Sequence, residues 1–568
     1  MAASEVPHWL QTVHKKRLAR ENAIDSFLDS RKTRSEIPVL QLDASGSTQS
    51  SPGAVTDFDG VGDTLQAIAS GAVSASTLCA AHVYRRTGMF SSMMVRELLA
   101  DLGSLTEILF DQATKQAIEL DKHFEKHGKL VGPLHGICMT LKDQFDVKGF
   151  DSTLGYVGRA FKPAVQDCVL VSLLKQMGAI IIAKTNIPQS IMSQGLFFFL
   201  QWCETDNPLW GLTVHPRNPD FTPGGSTGGE GTLLSLRGTV VGWGTDIGGS
   251  IRIPSHMNGL YGLKPSSTRL PYQGVPVSTD GQEHVPSVIG PMSRCIDSLV
   301  AVSKAVIDAK PWDYDPKCVP IPWRQDLFED AQSRPLRIAI MTDDGVVRPH
   351  PPVARVLEDV VAKLKRAGHD IVSWNPGRLH QECIDIMDQY YTADGCEDIR
   401  RDIEAAGEPC IPHVEALINK GKPISVYSYW QLNKQKVAAQ KRFLDLWKST
   451  KSAKTGEEID VLLTPVMPHS AVPHRKCRWV GYTKVFNFVD YPAVVIPAGR
   501  VSKELDGEAS TNPNAYKPRN PLDEWNWNLY DVDAMDGMPI GVQVVARRLN
   551  EERVLGAAKA IDHVLKCS

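Results

Sequence analysis

Apolar positions along this chain switch between a helical and a strand-like period, and the alternation outlines an α/β protein. From about 77 to 128 apolar residues recur at three- and four-residue spacing through Leu105, Ile108, Leu109 and Ala113, which predicts helix. After a turn at Gly132-Pro133, residues 137–142 read as a short strand that ends at Lys142. Residues 167–177 predict a helix stopped by Gly178, and the run at 179–183 a buried strand. Thr239-Val240-Val241-Gly242-Trp243 is a further buried run. The same grammar returns as a strand at 336–340, a helix at 353–367 and a strand at 370–374. Three more strands are expected at 461–465, 493–497 and 540–545, and a helix from Glu551 closes the chain. Helix followed by strand, repeated, predicts an α/β sheet.

The flanks are more polar. Residues 1–75 form a helix-prone N-terminal extension that opens on an exposed amphipathic helix and contains a Ser-, Gly- and Pro-rich loop at 45–53. Residues 502–530, rich in Pro and Asn, read as a polar surface insertion. Neither an internal repeat nor a clean linker divides the rest, so 76–568 is expected to be one large domain.

Composition narrows the partners. With 568 residues there is ample material for a core, and 62 basic against 65 acidic residues leave a net charge of −3. That balance gives no footprint for nucleic acid or an anionic membrane and suits a small, roughly neutral substrate. The 11 cysteines are odd in number, scattered and without zinc-site spacing, which points to a reducing compartment and no metal. The N-terminus has no continuous apolar stretch of the secretory kind, and the run Leu196-Phe197-Phe198-Phe199-Leu200 is far shorter than the ~20 residues of a membrane span. A soluble, cytoplasmic protein is expected.

Candidate chemistry lies in two glycine-rich blocks, Gly224-Gly225-Ser226-Thr227-Gly228-Gly229-Glu230-Gly231 and Gly244-Thr245-Asp246-Ile247-Gly248-Gly249-Ser250-Ile251-Arg252. Glycine lets backbone N–H groups approach a ligand closely, so a serine cradled in glycine can face several donors. A nucleophile beside an oxyanion hole needs that arrangement. Either block alone also fits a turn, but the apolar run before the second makes a floppy linker a poor account of the pair. Serine needs a base, and neither block holds a histidine. Lys142, at the end of an apolar strand, is the candidate, with Ser226 able to relay the proton. Burial must then hold its amine neutral, against a reading of Lys142 and Asp143 as a surface ion pair.

These blocks, with Pro133-Leu134-His135-Gly136-Ile137 upstream, Lys184-Thr185-Asn186-Ile187-Pro188-Gln189, Tyr261-Gly262-Leu263-Lys264-Pro265 and Val542-Gln543-Val544-Val545-Ala546-Arg547-Arg548-Leu549, resemble the amidase signature family and within it the fungal acetamidase and general amidase group. The likeness covers roughly residues 60–565. It implies a single α/β domain with a mixed central sheet covered by helices on both faces, and hydrolysis of a small carboxylic amide to carboxylate plus ammonia or amine. It implies a Ser-cisSer-Lys triad of Ser250, Ser226 and Lys142, with N–H groups from Ile247, Gly248, Gly249 and Ser250 as oxyanion hole and no metal or organic cofactor. Ser226, Thr227 and Ile191 are expected at the substrate, and a homodimer is compatible. Cys138 stands where the family has proline, and Thr227 where it has a second serine, its extra methyl able to narrow the site. Residues 193–201 read as an apolar insertion: a pocket wall, buried packing or an error in the predicted coding sequence.

Other readings exist. Gly224-Gly225-Ser226-Thr227-Gly228 fits a nucleophile elbow, with His256, His284, His350 or His369 as partner, but no buried strand precedes it. Ser172-Leu173-Leu174-Lys175 and Lys454-Thr455-Gly456 match penicillin-enzyme motifs by chance, and the dinucleotide-loop spacing fails after Gly242-Trp243-Gly244. An amidotransferase-type subunit that delivers ammonia to a partner shares the signature, and a specific secondary-metabolite or xenobiotic amide or lactam is an alternative substrate.

Overall fold

A computed structural model describes residues 6–32, 58–87, 102–191, 203–511 and 516–567. Among them are eleven strands: β1 (Leu105–Ile108), β2 (Cys138–Lys142), β3 (Ile180–Thr185), β4 (Val241–Asp246), β5 (Tyr261–Lys264), β6 (Val288–Ser293), β7 (Arg337–Ile340), β8 (Asp370–Ser373), β9 (Val461–Pro465), β10 (Ala493–Arg500) and β11 (Pro539–Val545). They form one sheet in the order β1-β3-β2-β4-β6-β5-β10-β11-β9-β7-β8. β2 runs parallel to β3 and β4, and β7 parallel to β8 and β9, while the strands between these groups pair antiparallel.

Helices cover both faces, as the period of two along β10 makes plain. Val494 and Ile496 pack with Val554, Leu555 and Ala558 of the helix Glu551–Cys567, whereas Val495 between them packs with Ile253 and Met257 of the helix Arg252–Asn258. The fold is thus the single mixed α/β sheet domain expected.

Several local expectations need correction. Within the stretch expected to be helical, Ala75–Thr87 and Phe110–His127 are helices, but residues 105–108 form the edge strand β1, antiparallel to β3. Apolar residues three apart satisfy a short edge strand as well as a helix, and pairing with β3 decided between them. β5 and β6, the latter carrying Gly290-Pro291, were not among the expected strands. Gly290 is required there by close approach, since a Cβ would overlap the Leu263 carbonyl of β5.

The helix His8–Lys32 forms but is not free in solvent. It buries Val13 and Phe27, and Lys16 Nζ lies 2.6 Å from both Glu107 and Asp151. Within 502–530 lie the helices Lys503–Thr511 and Pro521–Asn528, and Leu522, Asp523 and Asn526 are buried. The loop at 45–53 and the apolar segment 193–201 lie outside the described residues. No described helix is long and apolar enough to cross a membrane.

Candidate active site

The parallel group β3-β2-β4 brings the carboxyl ends of its strands together, where α/β sheets present ligands. Lys142 ends β2 and Asp246 ends β4. Ser226 lies in the loop that enters the helix Gly228–Ser235, and a buried carboxylate sets the depth of that helix. Glu230 accepts hydrogen bonds from Thr185 Oγ1 at 2.9 Å and from Thr140 Oγ1. A side chain at Gly242 of β4 would strike that carboxylate, so the helix can sit this close only over glycine.

Lys142 Nζ lies 2.7 Å from Ser226 Oγ and 2.8 Å from Thr245 Oγ1. The Gly225–Ser226 peptide is cis, as the resemblance implied. Thr227 N donates to the Ser250 carbonyl at 3.2 Å, which ties the first glycine block to the second. Lys142 is 0% exposed and Ser226 and Ser250 2% each, so all three sit in a medium that disfavours charge. Burial lowers the Lys142 pKa to about 7, against the opposing pull of Asp246 and Asp143. The surface ion-pair reading of Lys142 and Asp143 is therefore excluded. Asp143 instead accepts from Thr153 N, Thr153 Oγ1 and Leu154 N at 2.8 to 2.9 Å. Ser226 and Ser250 share the site, but no hydrogen bond joins their hydroxyls.

One carboxylate organises the Ser250 loop. Asp246 accepts from Gly249 N at 2.8 Å, Ile251 N at 3.1 Å and Asn487 Nδ2 at 2.9 Å, and it pairs with Arg252 Nη2 at 3.0 Å. Burial pushes the Asp246 pKa up, yet the Arg252 charge and these donors win and hold it at about 2. Arg252→Met leaves that buried carboxylate without its cation, so a loss of about 3–5 kcal/mol is expected in thermal or denaturant unfolding. Unchanged stability would show that the pair does not hold the loop.

Of the N–H groups expected at the oxyanion, that of Gly249 donates to Asp246 at 2.8 Å. Gly249 is needed for its conformation, since its φ is 133° and a Cβ would overlap Thr483. Thr483 Oγ1 in turn donates to the Gly248 carbonyl at 2.8 Å. The N–H groups of Ile247, Gly248 and Ser250 have no acceptor among the described residues. Thr227 packs its methyl over Gly244 and donates its hydroxyl to the Thr245 carbonyl at 3.4 Å, so it braces β4. Ile191 and Ile247 line a cavity of about 980 Å³, with Tyr272, Val277 and Phe488 on its walls. Lys142, Ser226 and Ser250 are not part of its lining, and Ile247, three residues before Ser250, is.

The nucleophile-elbow alternative fails on geometry. Ser226 bonds to Lys142, while buried His256 bonds to the main-chain oxygen of His469 at 2.9 Å. Thr245, Asp246 and Arg252 lay within the glycine block without a role assigned, although opposite charges six positions apart around a glycine loop are a usable signal. Gln144, Thr483 and Asn487 were missed. The last two come from the helix Gly481–Phe488, more than 230 residues further on, where no local pattern connects them to the loop they hold.

The family model described as Amidase matches residues 95–555. Amidase 1 of Gibberella moniliformis is 56% identical over 81% of this chain and 86% of its own length. The Acetamidase of Emericella nidulans is 40% identical over 81% and 82%. Among solved structures, a fatty acid amide hydrolase superimposes with a TM-score of 0.84 at 29% identity, covering 98% of this chain and 95% of that one. On sequence and fold together, the chain belongs to the amidase family, the amidase signature hydrolases.

Proposed function

We propose that this chain hydrolyses a small carboxylic amide to a carboxylate and ammonia or an amine through an acyl-enzyme on Ser250. The observation that carries the reading is the buried Lys142 amine, lowered to a pKa of about 7 and 2.7 Å from the Ser226 hydroxyl. Ser250 Oγ attacks the amide carbon, its proton passes to Ser226 Oγ, and the Ser226 proton passes to Lys142 Nζ. The carbonyl oxygen becomes an oxyanion facing the free N–H groups of Ile247, Gly248 and Ser250, donors worth roughly 2.7–4 kcal/mol each at a transition state. As the tetrahedral species collapses, the C–N bond breaks and the leaving nitrogen takes the proton back through Ser226. Water then attacks the ester carbon, loses its proton along the same path, and Ser250 leaves with its proton restored.

Relatives named amidase and acetamidase support a small amide as substrate. Their match over more than four fifths of their own length favours an enzyme that acts alone over an ammonia-delivering subunit. The purified chain is expected to release ammonia from simple aliphatic or aryl amides with no added protein, measured by a coupled ammonia assay. Activity that appears only with a partner would favour the subunit reading.

A further inference from the structure

We propose that Gln144 is a positioning residue for the base: by taking the Thr245 hydroxyl proton it keeps the Lys142 lone pair open to Ser226. The inference rests on the acyl-enzyme reading above. A neutral amine has two N–H donors and one lone pair, and only the lone pair can receive a proton. Lys142 Nζ touches two hydroxyls, Ser226 Oγ at 2.7 Å and Thr245 Oγ1 at 2.8 Å, and each has a proton to give. Were Thr245 to donate, the lone pair would be occupied and Ser226 would face an N–H. The base would then be present but blocked.

Gln144 decides which hydroxyl donates. Its side chain is buried, and Nε2 donates to the Pro276 carbonyl at 3.0 Å. A carbonyl only accepts, so the amide end faces Pro276 and Oε1 must face Thr245. Oε1 also only accepts, and it lies 2.7 Å from Thr245 Oγ1. The Thr245 proton therefore goes to Gln144, and Thr245 offers a lone pair to a Lys142 N–H. One amine hydrogen is pinned and the lone pair is left for Ser226. The turn that follows β2 permits this: Lys142 closes the strand, and Phe145 N donates back to the Lys142 carbonyl at 3.1 Å, which holds Gln144 close behind it. Lys142 and Gln144 both reach Thr245, while Asp143 between them turns to Thr153 and Leu154.

Removing the acceptor and then the competing donor separates this role from simple packing. Gln144→Met keeps the length of the side chain and removes the acceptor, and it is expected to lower kcat about 30-fold with KM within about twofold, the size of one misdirected buried hydrogen bond. Thr245→Ala alone loses only the pin on the amine, an expected fall of about threefold. The double variant is expected to return to the level of Thr245→Ala, since no hydroxyl remains to block the lone pair. A double variant at or below the product of the two single losses overturns the proposal, as does a Gln144→Met enzyme with unchanged kcat. If Gln144→Met does not fold, Gln144→Asn, a methylene too short to reach Thr245, carries the same expectation. Lys142→Ala run alongside tells the two failures apart: an active Lys142→Ala enzyme sinks the base itself, whereas an inactive one with additive Gln144 and Thr245 losses sinks only the role of Gln144.

Discussion

Ser250→Ala is expected to lower kcat/KM by about 10⁴-fold or more while leaving the unfolding midpoint nearly unchanged. On the proposed mechanism the reaction loses the atom that forms the acyl bond, and Ser226, hydrogen-bonded to Lys142, already serves as the proton relay. The fold should be indifferent, because the Ser250 loop is wound on Asp246 through Gly249 N and Ile251 N and not through the Ser250 side chain. Its hydroxyl has no hydrogen-bond partner among the described residues, so its removal strands no buried donor or acceptor. A fluorophosphonate reagent should label the wild-type chain at Ser250 and fail to label the alanine variant, read by peptide mass spectrometry. Label found on Ser226, or near-normal turnover by Ser250→Ala, would move the nucleophile to the other glycine block.

Much of this site could be read from the chain because its chemistry is concentrated at strand ends. Lys142 stands out as a lone charge closing an apolar run, and the two serines stand out because glycine surrounds them. The long buried strands β3, β9 and β11 were legible for a related reason, since strands covered on both faces become continuous apolar runs. The edge strand β1 and the Gly-Pro strand β6 were not, because their pairing is decided by neighbours distant in sequence. The same limit hid the supports of the oxyanion loop. A threonine and an asparagine on the helix Gly481–Phe488 carry no mark of function until that helix is laid against Gly248 and Asp246. Gly249 shows the converse: the residue was conspicuous, but its N–H serves Asp246 and its value is a backbone angle.

Lys142→Ala is expected to cost about 10²- to 10⁴-fold in kcat, the range of a general acid–base group, and to change the shape of the pH profile. The base works only as the neutral amine, and the neutral form predominates above its pKa. With that pKa at about 7, wild-type kcat/KM should climb through neutrality and level off above it. At pH 5, two units lower, about 1% of the amine is neutral and the rate should fall about 100-fold from the plateau. The residual rate of the alanine variant should show no such limb. Stability gives an independent check with its own sign. Folding lowers this pKa from 10.5 to about 7, so between those values the unfolded chain binds more protons and this lysine makes stability rise with pH. Below pH 7 both states are protonated and the penalty is constant. Subtracting the alanine variant from the wild type should therefore leave a difference that grows from pH 7 toward 10.5 and is flat at lower pH. A flat difference throughout, together with an activity limb that survives in Lys142→Ala, would mean that the titrating group is not this amine.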